Sequence, residues 1–139
     1  MKVLLINPPG WVGDRIPLGY DLVPSVPLGL GYLASTMESE GITAKIVDMD
    51  WGGFSKEELV DMISKFDPDI IGITSFTSNY ANAVDIAKAA KSHNPNIKIV
   101  FGGVHATFIH RDVLHTIPEV DMVVSRKCCN FVAALYPTI

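Results

Sequence analysis

Residues 67–107 read DPDIIGITSFTSNYANAVDIAKAAKSHNPNIKIVFGGVHAT, and this stretch decides the fold. Ile70 to Thr74 and Ile97 to Phe101 are short runs rich in β-branched residues, nearly continuous rather than alternating in apolarity. Strands read this way when both faces are buried, as in a parallel sheet covered by helices on each side. Between them the spacing predicts a helix from about Asn79 to His93. Its Ala83, Val84, Ala87 and Ala90 are small enough to lie close to a sheet, and Asn94-Pro95 terminates it.

Outward from this centre the same alternation repeats. Val3 to Ile6, Ala44 to Val47 and Val120 to Val124 are three further strand candidates. A first helix is expected to open with Pro27 at its first position and to bury Leu30, Leu33, Ala34 and Met37 before Gly41 ends it. Ser55 and Glu58 form a capping box for a second helix, whose Leu59, Met62, Ile63 and Phe66 share one face until Asp67-Pro68 stops it. A short helix around Thr107 to His115 precedes the last strand. The order is βαβαβαβαβ. With right-handed crossovers it predicts an α/β three-layer, doubly wound, five-stranded parallel sheet of flavodoxin-like order 2-1-3-4-5.

The 139 residues carry 11 basic and 15 acidic side chains, a formal net charge of −4, with 48% hydrophobic and 19% charged residues. That composition suits one folded domain and offers no basic run for a nucleic acid or an anionic membrane. The apolar run before Asn7-Pro8-Pro9 is too short for a signal peptide or a membrane span, so a cytoplasmic protein is expected. Cys128 and Cys129 are adjacent, which strains a mutual disulfide and provides no metal-ligand spacing.

In doubly wound folds the ligand lies beyond the carboxyl ends of the strands, where strand order reverses. The segments at that edge are residues 7–26, 48–54, 74–79 and 102–107, with Ser125 onward. Residues 7–26 are long for such a connection and rich in Pro and Gly, which suggests a lid or cradle. Gly29 to Ala34 match GxGxxA, with Asp48 and Asp50 following, but the fingerprint requires its first glycine in the turn directly after the first strand. Helix–sheet packing is the expected role of Gly29 and Gly31. Asn7-Pro8-Pro9 offers few N–H groups to a flavin phosphate, because proline has none. No nucleophile has an evident base and no His/Cys/Glu cluster has metal spacing, so neither catalytic residues nor metal ligands are expected here.

What remains are small and hydroxylated residues: Thr74, Ser75, Phe76 and Thr77 after the third strand, and Gly102-Gly103 after the fourth. Glycines there let a bulky ligand approach the backbone, and hydroxyls can bond a polar tail. Gly103 is expected at that close approach, so that a side chain there blocks the ligand and leaves the fold intact. His105 could touch the ligand, bind a metal centre or bond a loop carbonyl. Trp11, Tyr20, Trp51 and Phe76 are edge aromatics suited to a flat macrocycle or to local packing.

The pieces KVLLINPP, PLGLGYLAS, GITAKIVDMD, DPDIIGITSFTSNYANAVDIAKAAK and NIKIVFGGVHAT, followed by VDMVV, resemble in this order the N-terminal cobalamin-binding domain of cobalamin-dependent radical S-adenosylmethionine enzymes. That group includes the anaerobic magnesium-protoporphyrin monomethyl ester cyclase. The resemblance implies cobalamin with its nucleotide tail beside the third and fourth strands and its corrin across the strand ends. The residues expected to bind the cofactor are Asn7, Pro8, Pro9, Thr74, Ser75, Phe76, Thr77, Gly102, Gly103 and His105.

The DxHxxG motif of the methionine-synthase type is missing, so the resemblance implies base-off binding without a protein histidine on cobalt. Where the resembled enzymes continue with RGEGE and a CxxxCxxC barrel, this sequence has Ser125 to Cys129. Residues 1–124 are therefore expected to form the cobalamin-binding-like domain and residues 125–139 a divergent or truncated tail. The iron–sulfur cluster and S-adenosylmethionine belong to a catalytic radical domain acting in cis or in trans, and the chain alone is expected to catalyse nothing. A flavodoxin-like nucleotide- or flavin-binding enzyme domain and a degenerate interaction module are the alternative classes.

Overall fold

Five strands carry the molecule: β1 (Lys2–Asn7), β2 (Thr43–Asp48), β3 (Ile70–Thr74), β4 (Lys98–Gly102) and β5 (Met122–Val123). The computed structural model describes residues 1–10, 26–52 and 55–125, without the side chains of 51 and 52. All four strand pairings are parallel and the order is β2-β1-β3-β4-β5, as the sequence predicts. The first half of the chain winds outward from β1 to β2 and the second half from β3 to β5, so order reverses between β1 and β3.

Alternation along each strand sorts side chains onto two faces. Leu4, Ile6, Ile71, Ile73, Ile99 and Phe101 face one layer, covered by α3 (Lys56–Phe66), α4 (Tyr80–His93) and α6 (His110–Thr116). Ala83, Ala87 and Ala90 of α4 are fully buried against it, the small side chains permitting the close approach expected from the sequence. Val3, Leu5, Ile70 and Val100 face the other layer. There α1 (Leu28–Ser39) is the one described helix that contributes buried residues, Leu30 and Met37, with Leu33 and Ala34 partly covered beside them.

Local chemistry sets the boundaries. Ser55 and Glu58 form the reciprocal capping box of α3, and Asp67 closes that helix in the left-handed region at φ 51°, because Pro68 disfavours helical geometry before it. Gly41, at φ 77°, ends α1 with Ile42 N–H donating to the Met37 carbonyl at 2.9 Å.

Four expectations need correction. Pro27 is the N-cap of α1 rather than its first residue. A short helix, α2 (Met49–Gly52), follows β2 where a loop was expected. The helix after β4 starts at once, as α5 (Gly103–Phe108), and Ile109 divides it from α6. Hydrogen bonding to β4 reduces β5 to two residues, although the apolar run around it is longer.

The edge at β4 and β5 is fastened by Asp121. Its Oδ2 accepts from Ile99 N–H at 2.8 Å and from Lys91 Nζ at 2.8 Å, and its Oδ1 from Lys98 Nζ at 3.1 Å. Partial burial raises the carboxyl's pKa, but Lys91, the Ile99 N–H and Lys98 outweigh it and hold the group below its ordinary value of 3.8. A depressed folded-state pKa stabilises the fold above the unfolded value, and that stability disappears as pH falls through the folded one. Asp121→Asn is expected to cost about 1 kcal/mol at neutral pH, since the lysines are part-solvated, and to lose part of the steepness of acid unfolding. Equal urea midpoints for both proteins at pH 7 would contradict this.

Candidate functional site

Beyond the carboxyl ends of β1, β3 and β4, on the face covered by α1, lies a cavity of about 670 Å³. This is within the usual range of small-molecule sites. Its floor follows from the register. Leu5, Gly72 and Val100 lie abreast on neighbouring strands, and Thr74 lies beside Gly102 one rung further on. Each rung thus contains one residue with no side chain, and Gly72 and Gly102 sink a trough into a floor that branched residues would otherwise fill. Pro27, Leu30 and Leu33 of the α1 segment form one wall, and Val104, Thr107 and Phe108 of α5 the other. Val26, Leu28, Phe76, Val104 and Phe108 all line it although they are exposed, Leu28 by 69% and Phe108 by 81%. An apolar rim around an apolar trough is the signature of a ligand surface rather than of a solvated edge.

The two adjacent glycines do different work. A Cβ on Gly102 would meet nothing within 4 Å, and its backbone (φ −136°, ψ −171°) suits any residue. Its vacancy therefore belongs to the cavity. Gly103 also lines the cavity, but it sits at φ 91°, and its Cβ would fall 2.6 Å from the Ser75 carbonyl oxygen and 2.7 Å from the Ser75 nitrogen. That glycine is required where α5 starts against β3, with Ser75 N–H donating to the Gly102 carbonyl and His105 N–H to the Ser75 carbonyl. The expectation that a side chain at Gly103 would block ligand without disturbing the fold is corrected by this contact. Gly29 and Gly31 likewise are not packing glycines: neither has an atom within 4 Å of an added Cβ, and Gly29 lines the cavity mouth.

Asn7, Pro8, Thr74, Phe76, Gly102 and Gly103 line the cavity, whereas Pro9, Ser75, Thr77 and His105 do not. Ser75 is fully buried, its hydroxyl without a hydrogen-bond partner. Thr77 Oγ1 lies 3.1 Å from His105 Nδ1, and the histidine ring packs against Tyr80 with centroids 4.6 Å apart. The three form a cluster of their own outside the cavity lining. Trp11 and Tyr20 lie outside the described residues, as does the side chain of Trp51.

Asn7-Pro8-Pro9 acts as a tether. Asn7 Nδ2 donates to Asp48 Oδ1 at 2.9 Å, Asn79 Nδ2 to the Pro8 carbonyl at 3.3 Å, and Asn82 Nδ2 to the Pro9 carbonyl at 2.8 Å. Asn79 is 3% exposed and its Oδ1 accepts from Phe76 N–H at 2.7 Å, so one amide joins the ends of β1 and β3. Sequence reasoning offered Asn79 only as a helix cap and overlooked Asn82. It named Leu33 only as a buried residue of the first helix and overlooked Val104 and Phe108, although that pair at i,i+4 on an otherwise unneeded apolar face was a readable signal. Among the described residues no group of three His, Cys, Asp or Glu side chains could hold a metal, and no helix is long and apolar enough to cross a membrane.

A doubly wound sheet with an apolar trough at its switch point is an α/β ligand-binding domain. The chain belongs to the B12-binding domain family, which matches residues 20–129. It is 39% identical over 124 residues to an uncharacterized methyltransferase of Pyrococcus horikoshii, covering 89% of this chain and 26% of that one. It is 32% identical over 126 residues to the anaerobic magnesium-protoporphyrin IX monomethyl ester cyclase of Rubrivivax gelatinosus, covering 89% and 22%. In fold it is similar to the cobalamin-dependent S-adenosylmethionine radical enzyme OxsB, with a TM-score of 0.75 and 19% identity over 99% of this chain and 19% of that one. The chain thus spans about a quarter or less of the relatives it matches.

Proposed function

We propose that this domain is the cobalamin carrier of a radical S-adenosylmethionine enzyme, holding the cofactor base-off with its nucleotide tail in the trough and its corrin across the strand ends. The observation that carries the reading is the paired absence of side chains at Gly72 and Gly102 beneath an apolar rim, in a chain of the B12-binding family. Bound cobalamin supplies a cobalt centre that can accept and pass on a methyl group. This chain's residues would contribute binding and orientation: Leu30, Leu33 and Val100 would enclose the tail, Phe76 and Phe108 would border the macrocycle, and the Asn79 tether keeps the β1 and β3 ends together. The iron–sulfur cluster and S-adenosylmethionine are assigned to a separate radical domain, in cis or in trans, in the cytoplasm.

A flavin or nucleotide with several phosphates is supported less well. Pro8 and Pro9 lack N–H groups, their carbonyls are engaged by Asn79 and Asn82, and among the described residues Asp50 is the charged side chain lining the cavity.

Reconstitution with hydroxocobalamin, followed by gel filtration and a visible spectrum, tests the function directly: co-elution with a base-off spectrum is expected, and a colourless protein peak would refute it. No histidine lines the cavity. After reduction to Co(II), the electron paramagnetic resonance spectrum is therefore expected to lack nitrogen superhyperfine splitting and to be identical in His105→Ala. Splitting that vanishes in that variant would place His105 on cobalt.

A further inference from the structure

Helix α5 supplies Val104, Thr107 and Phe108 to the cavity, yet its six residues are too few to stand as a helix alone, so tertiary contacts set its place. Ala106, fully buried, and Ile109, just past the helix end, join the core layer of α3, α4 and α6. His105 reaches a different partner, the segment that follows β3. Its Nδ1 lies 3.1 Å from Thr77 Oγ1, and its ring packs at 54° against Tyr80 with centroids 4.6 Å apart. The same segment supplies Phe76 and Ser78 to the cavity. Residues 76 and 78 thus serve the cavity, while 77 and 80 hold the histidine.

We propose that His105 is a positioning residue for the cofactor cavity: through Thr77 and Tyr80 it latches α5 to the segment after β3 and so fixes Val104, Thr107 and Phe108 relative to Phe76 and Ser78. The bond from His105 N–H to the Ser75 carbonyl secures the start of α5. One fixed point leaves a short helix free to pivot, and the ring contact supplies the second. Without the latch the cavity spends less time in its binding geometry, and apparent affinity falls by that fraction. Thr77 is exposed, so its bond to the ring is worth about threefold in that population, and the ring contact with Tyr80 about as much again. The affinity part of this inference rests on the reading of the cavity as a cobalamin site.

The test uses the full 139-residue chain and two measurements: amide exchange over residues 107–109 without cofactor, and the hydroxocobalamin dissociation constant by equilibrium dialysis. Thr77→Val is expected to weaken binding about threefold and His105→Ala about tenfold, both with faster exchange in α5. Thr77→Val should have no further effect in the His105→Ala background, because both break the same contact. His105→Asn, which keeps a polar atom near the Nδ1 position, should recover the part that depends on Thr77. The visible spectrum of the cofactor bound to His105→Ala should match that of the native protein, as it must for a residue that acts through α5. Unchanged α5 exchange in His105→Ala overturns the latch, and faster exchange with unchanged affinity reduces it to a structural contact. Additive losses in the double variant, or a shifted cofactor spectrum, overturn it as well. A native chain that binds no hydroxocobalamin refutes the cobalamin reading, while the exchange measurement still decides for or against the latch.

Discussion

Gly103→Ala is expected to destabilise the domain by about 2–4 kcal/mol, enough to consume much of a typical stability of about 5–15 kcal/mol. Two effects add. The residue adopts φ 91°, where an L side chain is strained, and its Cβ would lie 2.6 Å from a backbone oxygen that cannot rotate away. Relief requires α5 to withdraw from Ser75, breaking the bond from His105 N–H to the Ser75 carbonyl. The urea midpoint should fall well below that of the native chain, and Gly103→Val should fall further or fail to fold. A midpoint unchanged in Gly103→Ala would mean that the β4–α5 junction is not held as described.

One residue earlier the outcome reverses. Gly102→Leu should leave the urea midpoint within about 0.5 kcal/mol of native stability, because the backbone is extended and the side chain enters open space. It should weaken hydroxocobalamin binding about a hundredfold or more, since a branched side chain would refill the trough between Thr74 and the α5 wall and overpacking is not relieved by a sheet floor. Native-like affinity in a folded Gly102→Leu protein would remove the trough from the binding site and shift attention to the segment after Pro9.

Much of the fold was legible because its signals are local. The continuous apolarity of Ile70 to Thr74 and of Ile97 to Phe101, the Ser55 and Glu58 box and the Asp67-Pro68 stop each depend on a few neighbouring residues, and each reappears in the structure. The family order of motifs carried the ligand class in the same way. Where the reading failed, the missing information was non-local. The length of β5 depends on β4 offering partners, which no window of sequence displays.

The site divides along the same line. Sequence alone determined which residues stand at the strand ends, because strand boundaries place them there whatever the packing, and it singled out the Gly102-Gly103 pair. Only the tertiary structure decided that one glycine leaves space open in the cavity and the other avoids the backbone of Ser75. Cβ direction and the sign of φ are set by how α5 meets the end of β3, where the start of the helix packs against Ser75, far away in sequence. The trough likewise exists only once parallel register sets Gly72 beside Val100 and Gly102 beside Thr74, since a cavity is a relation between strands that none of them encodes separately.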